Sequence, residues 1–406
     1  MLSLKLRVAK RGKYVVEDIF FILTGTLIIL NTASVYYTQN PHVFMICNVF
    51  SLTITCILLF SNLSIRIQKK YLMYILVYGL SVFILLAMWQ SISAYYFYVM
   101  GIVYPLEFIL IVLLVKSKKL VKFIDVLLKV CVCVALFSIG VWIFGSIFRL
   151  VLPSGTAIFQ WGSETRTVNT YYNLYFETQN AGLDIGKIHI GVRNNSIFAE
   201  APMCCFVFVC ASLLNELFIQ SRKYRYIFLI MILSTLTTTG ILYVALYIIC
   251  YIVKTKPYKV GLRMVKYTLL IVISIISLAV IEELIFKKFT TISGVDRISH
   301  IVQEINGFKK HPVIGSGFDV YTKGSSNSIT ALLADGGVLL WLLFYGPILK
   351  RIFSIKRSNR KIFYIAFLFM CVFSITAVQY SPFAIFMINS FLIVKQNECT
   401  KKGFLV

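Results

Sequence analysis

The chain is short of acid and shorter still of histidine: 16 Asp and Glu stand against 40 Lys and Arg, with only four His. Its two long polar stretches, 149–196 and 286–328, contain no Asp-x-Asp pair and no His/Cys cluster, so the usual ligand sets for a catalytic metal are missing from them. Cysteine is absent from both stretches and no Cys-x-x-Cys pair occurs anywhere, which excludes an exported disulfide framework. Cys47, Cys56, Cys131, Cys133, Cys204, Cys205, Cys210, Cys250 and Cys371 all fall in apolar runs and read as small buried side chains, while Cys399 lies in the tail. No small-residue cleavage site follows the first apolar run, so the basic start from Lys5 to Lys13 reads as the flank of an anchor. No internal repeat is visible, which disfavours transporters built from duplicated halves.

What the chain has in abundance is apolar length. Of its 406 residues 59% are hydrophobic, and the mean hydropathy is +0.84. Soluble domains run at about 45–50% apolar. Apolar runs that match a ~30 Å hydrocarbon core recur throughout and leave no room for a soluble catalytic domain. The net charge of +24 comes from short basic clusters between these runs, at 5–13, 66–70, 116–122, 222–225, 254–266, 350–361 and 395–402. That spacing is the positive-inside pattern of a membrane protein and excludes a nucleic-acid partner.

The expected fold is all-α: a single polytopic integral membrane domain over 1–406 with about twelve segments. They are drawn at 19–37, 43–60, 71–88, 95–115, 124–148, 197–219, 227–237, 240–253, 267–285, 329–349, 362–379 and 381–394. Two pairs are short and broken. A single helix over 227–253 would carry Lys254, Lys256, Lys259, Arg263 and Lys266 to the outside, against the charge rule, and Thr237-Thr238-Thr239-Gly240 weakens its centre. The same reasoning splits 362–394 at Gln379-Tyr380-Ser381-Pro382. Both termini then lie inside, and both long polar loops lie outside.

The first outer loop ends Arg193-Asn194-Asn195-Ser196-Ile197-Phe198-Ala199-Glu200-Ala201-Pro202, where Asn195 or Ser196 is placed to cap the next helix with Glu200 one turn inside it. Glu200 either complements the helix dipole or shares a mouth with Arg193 as base beside cation. The second loop carries an amphipathic helix. Ile298, Ile301, Val302, Ile305 and Phe308 form its apolar arc, and Arg297, His300 and Glu304 its polar one. Such a helix lies flat on the outer leaflet and can aim Arg297 at a lipid headgroup. The turn His311-Pro312-Val313-Ile314-Gly315-Ser316-Gly317 follows, then Asn327, then a span containing Asp335, a buried carboxylate that needs a partner or a proton.

These residues carry a resemblance. Arg193–Pro202 is similar to the Arg, Ile-Phe, Glu-Pro signature of the O-antigen polymerase and ligase superfamily, with Ala201 between Glu and Pro. Arg297, His311-Pro312, Gly315-x-Gly317, Asn327 and Gly337 resemble that superfamily's second outer loop and following helix, and Thr238-Thr239-Gly240 sits where many members carry Ser-Arg-Thr-Gly. Ser326 stands where ligases carry a His, which turns the resemblance toward polymerases of capsular or other surface polysaccharide.

The resemblance implies a cofactor-free glycosyltransferase on the outer face of a bacterial cytoplasmic membrane. Its substrates would be oligosaccharide repeats on undecaprenyl pyrophosphate, and its neighbours a flippase and a chain-length regulator. Arg193 and Arg297 are then the cations for the leaving pyrophosphate, and Glu200, His311 and Asp319 the candidate bases for the acceptor, Glu200 and His311 ahead of Asp319. Arg166, Lys309, Lys310, Gly315, Gly317, Asn327 and Asp335 are the expected substrate contacts. The alternatives are an exporter of lipid-linked oligosaccharide and a ligase of the same superfamily.

Overall fold

The computed structural model describes residues 2–61, 69–88, 94–161, 164–185, 188–254, 292–325, 327–353 and 360–393. The expected span 267–285 and the basic cluster 395–402 lie outside the described residues.

The chain is mostly helical. Its helices are α1 (Leu2–Leu30), α2 (Val35–Gln39), α3 (Pro41–Phe60), α4 (Lys69–Met88), α5 (Ala94–Lys116), α6 (Leu120–Ile147), α7 (Ala201–Ile219), α8 (Arg222–Ser234), α9 (Thr238–Lys254), α10 (Ile292–Lys310), α11 (Ser328–Phe353), α12 (Arg360–Ser374) and α13 (Pro382–Ile393). Among the described residues α3, α5, α6, α7 and α11 are long and apolar enough to cross a bilayer. Polarity is inverted relative to a soluble protein. Ile46, Phe50, Leu80 and Phe83 face outward, while Thr24 meets Thr55 at 2.8 Å and Asn48 donates to Tyr98 at 2.9 Å inside. Cys47 and Cys133 also face outward, against the expectation that every cysteine in a span is buried.

Both expected breaks are present. α8 and α9 part at Thr235–Thr237, with Leu236 at φ +50°, and the hydroxyls of Thr235 and Thr237 are buried 3.1 Å apart. α12 and α13 part between Ser374 and Pro382. Two further breaks were not foreseen. The first span stops at Leu30, where Asn31 and Thr32 turn their side chains back onto carbonyls of the preceding turn. The chain then pairs with the approach to α7, Val35 donating to Ile197 and Ala199 to Ala33.

The second break lies inside α11. Gly336 and Gly337 leave helical geometry, Gly337 at φ +62°. The turn after α10 lies across this gap. Ser316 and Gly317 donate to the carbonyls of Ala334 and Asp335, and Val338 and Leu339 donate to those of Pro312 and Val313. Four backbone bonds thus replace helical bonds lost at the break, which is how an interrupted span stays satisfied. A Cβ on Gly315 or Gly337 would overlap the opposing backbone, so both glycines serve close approach.

The all-helical expectation fails in the first loop. β1 (Gly155–Trp161), β2 (Glu164–Tyr171) and β3 (Tyr175–Phe176) form one antiparallel sheet, and β4 (Asn180–Ile185) pairs with β5 (Ile188–Val192). The cause is a period-two pattern of β-branched and aromatic residues. Ala157, Phe159, Val168 and Phe176 turn inward onto Val35 and Ala199.

Candidate functional site

Val192, Arg193 and Asn194 are strapped from both sides. Trp142 donates through Nε1 to the Val192 carbonyl at 2.8 Å, the Arg193 amide donates to Gln179 at 3.1 Å, and the Asn194 amide to Ser234 at 3.2 Å. The Asn194 side chain is fully buried. Its Oδ1 accepts from Ser138 Oγ at 2.6 Å and the Ser196 amide at 3.2 Å, and its Nδ2 donates to Ser234 Oγ at 2.9 Å. A loop residue therefore bolts the strand end to α6 and to the α8–α9 break. Sequence reading passed over Asn194, since a lone Asn in a polar run carries no signal of burial.

This strapping fixes where the Arg193 side chain begins. The guanidinium is half-buried, and its Nε makes no hydrogen bond among the described residues. Burial lowers its pKa from the ordinary arginine value, and the nearby Glu200 carboxylate opposes that shift. An arginine held in this way is ready for an anion.

Glu200 occupies the N-cap of α7 itself rather than a position one turn inside it. The helix starts later than expected because Ser196 turns at φ +55° and Pro202 suits the first turn of a helix. The Glu200 side chain does not cap. Gln179 Oε1 accepts from the Ala201 amide at 3.0 Å instead, and Asn195 is spent on Thr178 Oγ1 at 2.7 Å. Glu200 is left to approach Arg166 Nη1 at 3.7 Å, Arg166 lying on the β2 face that also carries Val168 and Thr170. Arg193 and Glu200, paired at one mouth in the sequence reading, are joined by Arg166 at the positive end of α7.

In the second loop α10 keeps its apolar arc outward and turns Glu304 inward. The apolar arc of α10 is open, with Ile298 43% and Val302 51% exposed, while Glu304 is buried against α11 and accepts from Thr330 Oγ1. Burial raises the Glu304 pKa, against the hydroxyls of Ser325 and Thr330 and the nearby His300. Arg297 is half-buried on this helix. Lys309 is exposed, and Lys310 donates to the Tyr321 hydroxyl while standing 5.0 Å from that ring. His311 is exposed at the turn, its carbonyl accepting from Gly315 at 2.8 Å.

Asn327 caps α11, its Oδ1 accepting from the Thr330 amide at 3.0 Å. Asp335 is wholly buried and has its partners: Thr322 Oγ1 donates to Oδ1 at 2.7 Å and Tyr380 to Oδ2 at 2.6 Å. Tyr96 closes the group, stacked 4.2 Å from Phe318 and donating to Asp319 at 2.8 Å. Gly315, Gly317, Asn327 and Asp335, expected to touch substrate, are thus engaged in locking the second loop onto the broken helix.

Compared with protein-family models, curated proteins and solved structures, the chain matches none.

Proposed function

We propose that this chain is a surface-polysaccharide polymerase of the bacterial cytoplasmic membrane, working on the outer face with both termini inside. The observation that carries the reading is the half-buried Arg193, its Nε without a hydrogen bond among the described residues, beside Glu200 and Arg166 at the start of α7. The motif resemblance at Arg193–Pro202 and Arg297–Gly337 supplies the substrate class.

In the proposed reaction the bond from the anomeric carbon of the growing chain to its undecaprenyl pyrophosphate breaks. A new bond forms from that carbon to a non-reducing-end hydroxyl of the next lipid-linked repeat. The departing pyrophosphate gathers negative charge, and Arg193 and Arg297 stabilise it with bidentate donors. The acceptor hydroxyl's proton passes to Glu200 or His311, and Arg166 holds Glu200 in place. No metal or cofactor is assigned a role. A flippase would deliver the repeats and a regulator would set their number.

Purified protein supplied with synthetic polyprenyl-pyrophosphate-linked repeats should yield a product ladder. Arg297→Lys keeps the charge but loses the fork, and should cut polymer length severely at normal protein abundance. Wild-type chain lengths from both Arg193→Ala and Arg297→Ala would end the pyrophosphate role.

One observation favours the exporter reading. Glu107 is fully buried within α5 and neither of its oxygens has a hydrogen-bond partner among the described residues. Cells lacking an exporter retain single repeats inside, whereas cells lacking a polymerase display them outside.

A further inference from the structure

A polar cavity lies at the outer end of α6 and is bounded on one side by Gly191 and Val192, the residues just before Arg193. There the helix loosens into a π-helical stretch over Trp142–Ile147, and the chain leaves through Arg149 at φ +52°. Loosened turns of this kind recur at binding sites. Tyr171 lies directly over the turn: a Cβ on Gly145 would come within 2.8 Å of its ring, so only glycine admits it. The resulting cavity, about 750 Å³, is lined by Arg149, Pro153, Asn169, Tyr171 and Glu177 among others.

The polar groups in it are arranged. Tyr171 donates to Glu177 Oε1 at 3.0 Å and Asn169 Nδ2 donates to Oε2 at 2.9 Å. An ionised carboxylate offers about four acceptor positions, so two remain for hydroxyl donors. Arg149 also lines the cavity, is exposed, and has no ion-pair or hydrogen-bond partner among the described residues. One wall thus accepts hydroxyls and another offers a fork to an anion.

Below it an apolar groove of about 280 Å³ runs along α6, lined by Leu136, Phe137, Gly140, Val141 and Phe144, and it meets the polar cavity at Val151. These α6 residues recur at helical spacing and so form one stripe. Leu136 and Phe144 are 54% and 52% exposed. A polar chamber continuous with an outward-facing apolar stripe suits a ligand that is hydroxylated and anionic at one end and a hydrocarbon at the other. A free saccharide would leave the stripe unused, and a phospholipid whose headgroup has no hydroxyls would leave the Glu177 acceptors unused.

We infer that this cavity seats the head of a lipid-linked saccharide, with a phosphate on Arg149, sugar hydroxyls on Glu177 and Asn169, and the polyprenyl chain along the Leu136–Phe144 stripe. Arg193 does not line the cavity, which ends at its neighbour Val192. The choice of a saccharide head rests on the proposed polymerase reading, in which two lipid-linked molecules must be held at once. Occupancy itself does not require turnover.

The test is binding, on the full chain in nanodiscs, with a long-chain polyprenyl diphosphate carrying one sugar and a photoreactive group in the tail. Label should fall on the Leu136–Phe144 peptide. A Cβ at Gly140 has open space around it, so Gly140→Trp can start there and project a bulky ring into the stripe. It should cut labelling by about tenfold or more, with Arg149→Ala close behind, the loss expected for one charge-assisted contact. Glu177→Gln should remove the preference for the sugar-bearing lipid over its sugar-free counterpart. Label placed elsewhere overturns the inference, as does equal labelling of wild type and all three variants, or equal competition by phosphatidylglycerol. A protein that binds in this way but makes no ladder would retain the seat while refuting the polymerase reading.

Discussion

Asn194→Ala isolates the strapping that sets up Arg193. The substitution deletes the acceptor for Ser138 Oγ and for the Ser196 amide, and the donor to Ser234 Oγ, all three buried. A hydrogen bond contributes about 1 kcal/mol net, and each buried group left without a partner costs about 1–3 kcal/mol. Serine hydroxyls can turn back to helix carbonyls, so the Ser196 amide keeps most of the penalty. The sum is about 3–5 kcal/mol, enough to lower the denaturation midpoint measured in detergent by several degrees. Asn195→Ala removes one bond, from Nδ2 to Thr178, and should cost about 1 kcal/mol. The functional effect of Asn194→Ala should exceed its effect on stability. Misplacing a charge-stabilising group by about 1 Å costs on the order of a hundredfold in rate. At a permissive temperature and wild-type abundance, polymer should shorten or vanish. Full-length polymer from Asn194→Ala under those conditions would refute the claim that this strap positions a working arginine.

Three further outcomes follow from the geometry. Gly315→Ala and Gly337→Ala each put a Cβ into opposing backbone at a positive φ, and should each destabilise by about 3 kcal/mol or more, seen as a lower midpoint and reduced abundance. Glu304 is raised by burial, so the folded state holds its proton more tightly than the unfolded chain does. Its contribution is present at acid pH and is lost as pH rises through the folded value, so the stability of Glu304→Gln relative to wild type should increase from mildly acid to alkaline pH. Chelator treatment of purified protein should leave polymerisation intact, and strict dependence on an added divalent cation would contradict the arginine-based reaction.

How far the chain could be read in advance depends on the range of the cause. Composition and charge spacing act locally, so the apolar runs and the breaks at Thr235–Thr237 and before Pro382 were legible. So were Arg193 and Glu200 as partners at one mouth, though not Arg166 beside them, because Arg166 reaches Glu200 only through the β1–β2 sheet. The sheet was missed because Tyr, Asn and Gly in a linker read as loop, and its inward residues find their partners on Val35 and Ala199, far away in sequence. The Gly336–Gly337 break was hidden because a glycine pair inside an apolar run looks like a continuous span until another backbone arrives to fill the gap.

The sequence alone determined that this chain partitions into a bilayer, since transfer free energy is a sum over side chains and needs no fold. It also determined where its polar chemistry could be concentrated. Only the tertiary structure decided which polar groups are spent and which are spare. Asp335, Asn327 and Gly315 are consumed in closing the second loop onto α11, whereas the Arg193 Nε has no hydrogen-bond partner among the described residues. That division rests on hydrogen bonds between residues distant in the chain, and no local pattern encodes them.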